Sequence, residues 1–313
     1  MRTFFSVIAL MWAAFSITSC SDNQQQLPQG SFVGNLVLND SLGLNLPFNI
    51  DMQLKQGQYL WEITNADERI LIEDIRVHED SMWVYMPVFE SKFVLRYTAD
   101  SLWGYWEKYQ SAKRRIDFYA MPGSERFSAD NEPELTIDGT FAMTFSPQDS
   151  NEAYPAIGLF QQEGQSLTGT IITETGDYRY LEGVVDGDEF SLSTFDGAHA
   201  FLFEGHWDEL EQLHGTFYSG KHWSEPFIAY ADEDAKLASP DQLTYLKPGY
   251  DALDFSFPDT NGQMVSMNDF KGKPVIVQIL GSWCPNCMDE TAYYVQLKNQ
   301  FPELQIVGLA YER

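Results

Sequence analysis

Basic residues are scarce in this sequence. Among 313 residues, 19 Lys and Arg stand against 46 Asp and Glu, which gives a formal net charge of −27 at pH 7. A surface this acidic repels phosphate backbones and anionic headgroups, so we expect no nucleic-acid partner. Charged residues make up 21% and hydrophobic residues 44% of the chain. These proportions are ordinary for a globular protein and argue against wholesale disorder.

Cysteine is scarcer still, with three residues: Cys20, Cys284 and Cys287. Cys20 ends an N-terminal apolar segment, and an exported protein would then have two thiols left in an oxidising compartment. A disulfide framework beyond that single pair is therefore excluded. The folded domains must be held together by their hydrophobic cores.

The N-terminal apolar run, Phe4 to Ile17, is shorter than the roughly 20 residues that a spanning helix needs. It has the layout of a secretory signal and closes on Ile17-Thr18-Ser19-Cys20, which resembles a lipobox. The resemblance implies that residues 1–19 are a signal peptide and that Cys20 carries a lipid. An ordinary signal peptide with a chance cysteine is the alternative. With residues 20–30 as a tether, we expect a membrane-anchored protein in the envelope of a Gram-negative-type bacterium, facing the periplasm or the surface.

Residues 31–231 lack helical periodicity and consist of short alternating runs between turn residues. Examples are Phe48–Leu54, Met82–Met86, Ser191–Phe195 and Ala200–Phe203. Alternation with a period of two predicts half-buried antiparallel strands, and turns about 8–12 residues apart are typical of sandwiches and barrels. Aromatic residues, at 15% of the chain, also favour β-structure.

An internal repeat divides this region. Phe32-Val33-Gly34 resembles Ile137-Asp138-Gly139 at an offset of 105, and Leu102-Trp103-Gly104 resembles Leu213-His214-Gly215 at 111. We predict two repeat-related all-β lobes, residues 31–120 and 135–231, each of seven or eight strands in a barrel or sandwich. One larger sheet system built from both halves is the alternative.

A polar and aromatic cluster in the second lobe could line a ligand pocket. Its members are Arg179, Asp196, His199, His222 and Trp223. They could equally cap strand ends and complete an aromatic layer. The two histidines could bind a metal ion, but no further ligand is identifiable, so we expect no metal.

After a linker at residues 232–250, the pattern changes class. Residues 274–280 form a branched apolar run that predicts a strand buried on both faces. Cys284-Pro285-Asn286-Cys287 then opens a helix through about residue 300, and residues 304–309 predict a second buried strand. A strand, a helix and a second strand in this order form a parallel βαβ unit.

This placement gives the dithiol its chemistry. A thiol at a helix N-terminus faces unpaired N–H groups, so we expect the pKa of Cys284 to fall from about 8.5 toward the 3.5–7.5 range. Pro285 suits the first helical turn. We predict that Cys284 is the exposed nucleophile, that Cys287 resolves the mixed disulfide, and that Trp283 shields one side of the pair.

Several segments together carry a family resemblance: Asp254-Phe255, Asp269-Phe270-Lys271-Gly272-Lys273, the branched strand and Gly281-Ser282-Trp283-Cys284-Pro285-Asn286-Cys287. They resemble the TlpA/ResA-type thiol–disulfide oxidoreductases, thioredoxin-fold proteins tethered in the bacterial envelope. The resemblance implies a partial α/β thioredoxin-like domain at residues 251–313. It also implies reduction of disulfides in exported proteins, a membrane electron donor that restores the dithiol, and no cofactor.

The resemblance stops early. Residues 251–313 number 63, fewer than the roughly 100–150 of a typical domain, and they do not reach the family's later strands or its cis-proline. We therefore expect the sequence to be a C-terminally truncated form.

Three other functions compete with the oxidoreductase. A zinc site is disfavoured because the nearest histidine to the dithiol is His222 and no second cysteine pair exists. A peroxiredoxin-like peroxidase would place its cysteine in a Pro-x-x-x-Thr/Ser-x-x-Cys setting, which the segment from Val277 to Cys284 does not supply. The β lobes could instead be a surface ligand-binding module with an incidental or inactive redox tail.

Overall fold

The computed structural model describes residues 26–109, 115–281 and 284–311, and their first nine strands form one antiparallel sheet. These strands are β1 (Gly30–Asn39), β2 (Leu44–Lys55), β3 (Gln58–Asn65), β4 (Glu68–Ile72), β5 (Ile75–His78), β6 (Ser81–Tyr85), β7 (Ser91–Tyr97), β8 (Leu102–Lys108) and β9 (Arg115–Pro122). A 3₁₀ turn, Asp40–Leu42, joins β1 to β2. The order is β4-β3-β2-β1-β9-β8-β7-β6-β5, so β4 and β5 are the two edges of the sheet.

Nine further strands form a second antiparallel sheet. They are β10 (Gly139–Phe145), β11 (Tyr154–Glu163), β12 (Ser166–Thr173), β13 (Gly176–Asp177), β14 (Leu181–Asp186), β15 (Glu189–Phe195), β16 (Ala200–Trp207), β17 (Leu213–Ser219) and β18 (Trp223–Ala231). Because β12 pairs with both β11 and β14, eight of these strands close into a barrel, and β13 adds a short edge to β12.

The predicted fold class is confirmed: two barrel-like antiparallel sheets precede a thioredoxin-like segment. The number of strands is larger than predicted, nine in each sheet rather than seven or eight. The difference comes from strands too short to alternate visibly in the sequence, such as the two-residue β13 and the four-residue β5.

Alternating side chains fill the interior of each sheet, as the period of two predicts. On β2, Phe48, Ile50 and Met52 point inward, and Trp61 and Ile63 do the same on β3. A separate cluster fills the second barrel around the aromatic side chains Phe141, Phe145, Phe190, Phe203, Phe217 and Phe227. The two sheets therefore have distinct hydrophobic cores.

The β15–β16 hairpin belongs to both cores. Phe195, Ala200 and Leu202 pack in the first core, while Leu192, Phe201 and Phe203 pack in the second. This corrects the expectation that Ser191–Phe195 and Ala200–Phe203 are half-buried strands. One face of the hairpin lines its own barrel and the other lies against the first sheet, so both faces are buried.

The side chain of Phe195, at the end of β15, inserts into the first core. Its ring is fully buried and stacks on Phe48, with 4.6 Å between ring centroids, and it meets Trp106 edge-on at 5.3 Å. The turn that follows fits because Gly197 has φ of +95° and lies against Met86, whose side chain a Cβ would strike at 2.6 Å.

Buried polar groups also join the two sheets. The Asn65 side-chain amide donates to the Phe195 carbonyl at 3.0 Å and accepts from the Phe195 N–H at 3.3 Å, so a side chain of the first sheet satisfies backbone groups of the second. The Ser193 hydroxyl donates to the Pro47 carbonyl at 2.6 Å. The buried Arg126 guanidinium donates to the Ser193 carbonyl at 3.0 Å and forms an ion pair with Glu182 at 3.1 Å. Each of these groups would be costly to bury without its partner.

The C-terminal region changes to α/β structure. It contains α1 (Pro240–Leu243), β19 (Ser256–Pro258), β20 (Met264–Ser266), a 3₁₀ turn (Met267–Phe270), β21 (Val275–Leu280), α2 (Pro285–Gln300) and β22 (Gln305–Ala310). The strands β21 and β22 precede and follow α2 in the chain and pair with each other in parallel, which confirms the predicted βαβ unit. Among the described residues, no helix combines the length and the apolar character needed to cross a membrane.

The expectation that β21 and β22 are buried on both faces is wrong for the residues described. Ile279 is 69% exposed, and the one buried side chain of β21 is that of Gln278. The cause is that the described part of this sheet contains two strands, so each strand has a neighbour on one side only.

Replacing Phe195 with Ala should lower the free energy of unfolding by roughly 3–5 kcal/mol, because it empties a fully buried ring site between two cores. Urea titration followed by tryptophan fluorescence measures the loss. Tyr230→Ala, which truncates an aromatic ring that is half exposed on β18, is the matched control and should cost under about 1 kcal/mol. Equal losses in the two variants would contradict the shared-core interpretation.

Candidate active site

Cys284 and Cys287 lie at the N-terminus of α2, which begins shortly after the carboxyl end of β21. Cys284 is the N-cap residue, with extended backbone angles of φ −101° and ψ 111°, and Pro285 takes the first helical position. One helical turn brings the Sγ atoms of Cys284 and Cys287 to 2.7 Å from each other, and both side chains are half-buried. The two sulfur atoms therefore need little movement to become a disulfide when a two-electron oxidation removes both thiol protons. Trp283 lies outside the described residues.

The expected fall in the pKa of Cys284 is corrected by the structure. Burial raises the pKa of this thiol above its ordinary value, and the hydrogen bond to the Cys287 thiol adds to the rise. The backbone N–H groups of Cys287 and Asn286 act in the opposite direction but do not outweigh these effects. The sequence argument considered the helix terminus and left out the desolvation that accompanies it.

A polar support lies beneath the dithiol. The buried Gln278 side chain donates from Nε2 to the Cys287 carbonyl at 3.1 Å and to the Glu290 carboxylate at 3.0 Å. The Thr291 hydroxyl lies 2.7 Å from the same Cys287 carbonyl and 3.1 Å from Gln278 Oε1. These contacts tie the first turns of α2 to β21. Sequence analysis missed Gln278, although a lone amide inside an apolar strand is a visible signal.

The structure brings together three of the five predicted cluster residues in the second lobe. One oxygen of Asp196 lies 3.0 Å from Nδ1 of His199, within hydrogen-bond distance, and 3.2 Å from Nε of Arg179, with which it forms an ion pair. Its other oxygen accepts the N–H groups of Ala198 and His199 at 2.7 and 2.6 Å, which closes the β15–β16 turn. Burial alone would raise the pKa of Asp196, but the bonds from His199 and the charge of Arg179 lower it below its ordinary value.

Arg179 binds three carboxylates from three parts of the chain. Its side chain is 8% exposed and pairs with Glu68 of β4, with Asp196, and with Asp289 of α2 at 2.7 Å. Burial opposes the charge of Arg179, yet these carboxylates raise its pKa. Sequence analysis did not identify Glu68 or Asp289 as partners, because both are distant in sequence and ordinary in composition.

The other two predicted cluster residues, His222 and Trp223, have different surroundings. His222 is exposed in the turn between β17 and β18, and Trp223 begins β18 and donates from Nε1 to Glu225 at 3.2 Å. That buried carboxylate also accepts the hydroxyl groups of Tyr154, at 2.8 Å, and Ser146, at 2.9 Å. A ligand pocket formed by all five residues stays a prediction.

The comparisons with known proteins concern the C-terminal segment. Residues 248–312 match the profile of the AhpC/TSA family. The thiol-disulfide oxidoreductase ResA of Bacillus subtilis (strain 168) is 35% identical over 86 residues, which cover 26% of this chain and 46% of ResA. ResA of Bacillus thuringiensis subsp. konkukian is 33% identical over 63 residues, which cover 20% of this chain and 36% of that protein. The chain spans less than half the length of the curated relatives it matches.

These matches identify the C-terminal segment as a thioredoxin-fold redoxin domain with weak similarity to ResA, and they support an oxidoreductase in general terms. Among solved structures, a protein of unknown function from the DUF3598 family of Nostoc punctiforme aligns with 66% of this chain and 95% of its own. Its TM-score is 0.23 and its identity 10%, values too low to carry an argument about either lobe.

Asp196→Asn should lower the free energy of unfolding by about 3 kcal/mol at pH 7, because it removes the buried charge that faces Arg179 and His199. The pKa of Asp196 is depressed, so its contribution is present above the unfolded pKa of about 3.9 and is lost as pH falls through the folded value. The difference between wild type and variant should therefore shrink below about pH 4. Urea titrations at several pH values measure it. Asp117→Asn, at an exposed carboxylate, is the control, and a pH-independent difference would contradict the assignment.

The rate at which iodoacetamide alkylates Cys284 in the reduced protein should rise with pH to a midpoint above about 8.5, because burial raises the pKa of this thiol. Tandem mass spectrometry distinguishes modification of Cys284 from that of Cys287. Glutathione under the same conditions supplies the reference for a solvated thiol. A midpoint at or below pH 7 would restore the thiolate expected from the helix terminus.

Proposed function

We propose that this protein is a thiol–disulfide oxidoreductase of the cell envelope that reduces disulfides in exported proteins. The observation that carries the proposal is the dithiol itself, two sulfur atoms 2.7 Å apart at the N-terminus of α2 in a domain that matches redoxins. An arrangement of this kind lets one sulfur attack a substrate and the other complete the exchange.

The reaction proceeds through one mixed disulfide. The Cys284 thiolate attacks one sulfur of the substrate disulfide, the substrate S–S bond breaks, and the leaving sulfur takes up a proton as a thiol. The Cys287 thiolate then attacks Cys284 Sγ and displaces the second substrate sulfur, which is protonated in turn. Two electrons pass to the substrate, and the protein holds a disulfide between Cys284 and Cys287. An external dithiol, reduced by a membrane electron donor, reverses this change in the protein.

The electrostatics of the site support the reductive direction. A dithiol is strongly oxidising when its reduced form is stabilised by a low-pKa thiolate. Here burial raises the pKa of Cys284, so the reduced form gains no such stabilisation. The same rise slows attack near neutral pH and makes each thiolate that forms a better nucleophile.

The N-terminal segment supports an anchored protein. Cys20 and the signal that precedes it lie outside the described residues, and the proposal for them rests on the lipobox-like sequence. A lipid on Cys20, followed by the tether of residues 20–30, would keep the dithiol near a membrane donor and would leave it free to meet exported substrates.

A peroxiredoxin-like peroxidase is the second candidate, since the matching profile is that of the AhpC/TSA family. In this chain Val277 stands where the peroxidatic setting has its proline, and Gly281 stands where it has its hydroxyl residue. Consumption of hydrogen peroxide by the reduced protein, measured beside insulin reduction, separates the two activities.

Cys287→Ser should trap substrates as mixed disulfides on Cys284, because the second exchange step is removed. Non-reducing gels of the envelope fraction, followed by mass spectrometry, should reveal adducts that dithiothreitol releases and that remain with the membranes unless Cys20 is also changed to Ser. Cys284→Ser is the control and should trap far fewer proteins. Absence of adducts from both variants would redirect the assignment to the β lobes as a ligand-binding module.

A further inference from the structure

Arg179 of the second barrel forms an ion pair with the dithiol helix. Arg179 is the second residue after β13 and pairs with Asp289, two residues beyond Cys287, with 2.7 Å between Nη1 and Oδ2. Arg179 is buried, whereas the Asp289 side chain is 66% exposed. The arginine is therefore packed in the barrel, whereas the aspartate lies on the surface of α2 and contacts the barrel through this arginine.

A second contact lies beside the cysteines. A Cβ atom on Gly176 would stand 2.6 Å from Nδ2 of Asn286, the residue between Pro285 and Cys287. Gly176 has φ of +152°, which a residue with a side chain rarely adopts. The Asn286 side chain, between the two cysteines, therefore reaches the backbone of β13 at Gly176.

The segment that makes both contacts is itself fixed to the barrel. The Arg179 N–H donates to Asp177 at 2.8 Å, and the Tyr178 N–H donates to the Ile171 carbonyl at 2.9 Å. The Tyr178 hydroxyl lies 2.9 Å from that of Tyr154 on β11, and the Tyr178 ring packs on the second core. Residues 176–180 are therefore a firm platform.

Glu68 and Asp196 pair with the Arg179 guanidinium independently of α2. An exposed ion pair usually contributes little, because two long side chains must be ordered for a weak attraction. Here the arginine is already held by two carboxylates, so little further ordering is needed when Asp289 binds. Three carboxylates around one cation also leave a net negative charge, so loss of Asp289 does not strand Arg179.

We propose that Arg179 is a positioning residue that docks α2 on the second barrel and makes the dithiol accessible from one side. The platform of residues 176–180 covers the Asn286 side of the Cys-Pro-Asn-Cys turn, and a disulfide reaches the sulfur atoms from the side away from the barrel. The substrates that fit are disulfides on protruding or unfolded segments rather than those recessed in a folded surface. The substrate class depends on the proposed function, but the docking does not.

Asp289→Asn tests the docking with the barrel left intact, since Arg179 keeps Glu68 and Asp196. Two rates are measured on the reduced full-length protein: alkylation of the dithiol by a bulky polyethylene-glycol maleimide, and alkylation by N-ethylmaleimide. Asp289→Asn should raise the ratio of the bulky to the small rate about threefold, in keeping with the strength of one ion pair. Amide hydrogen exchange over residues 284–292 should accelerate by a similar factor.

Two further variants make the test decisive. Glu303→Gln, at an exposed carboxylate after α2, should change neither quantity. Arg179→Gln should raise both quantities at least as much as Asp289→Asn, because it also leaves Glu68 and Asp196 without their cation, and adding Asp289→Asn to it should change neither quantity further. An unchanged alkylation ratio and unchanged exchange in Asp289→Asn would overturn the proposal. Neither readout needs a substrate, so trapping that fails while these rates change would reject the reductase and retain the docking.

Discussion

The insertion of Phe195 into the first core is the contact on which the rest of the β structure depends. A strand in a barrel normally has one buried face, but the β15–β16 hairpin has two, and the second face completes the core of another sheet. The polar groups around it follow from this. Asn65, Ser193 and Asp196 are buried because the hairpin is, and each has partners that offset the loss of water.

The same hairpin links the lobes to the redox segment. Asp196 lies in its turn and holds Arg179, and Arg179 in turn holds Asp289 on α2. The position of the dithiol helix therefore traces back to the turn that closes the Phe195 insertion. One buried cation, Arg179, thus pairs with carboxylates from both sheets and from the redoxin domain.

Local patterns were sufficient to predict the strand-rich lobes, the βαβ unit and the place of the dithiol, because each depends on alternation or spacing within a few residues. Features that depend on distant segments were not predictable. The unbroken apolar run Ala200–Phe203 was a sign that both faces of this strand are buried. Nothing near it in the sequence says that the first sheet covers its outer face. Glu68 and Asp289 lie more than a hundred residues from Arg179, and the desolvation of Cys284 is a property of the packed site.

The shared hairpin also constrains the order in which the two lobes can fold during synthesis. The first sheet ends at Pro122, yet three side chains of its core, Phe195, Ala200 and Leu202, are encoded more than seventy residues later. In a chain that emerges with its N-terminus first, the core of the first lobe lacks these side chains until the hairpin of the second lobe has been made. The two lobes therefore reach their final packing together. Until then, the net negative charge of the chain opposes association of incompletely packed first lobes.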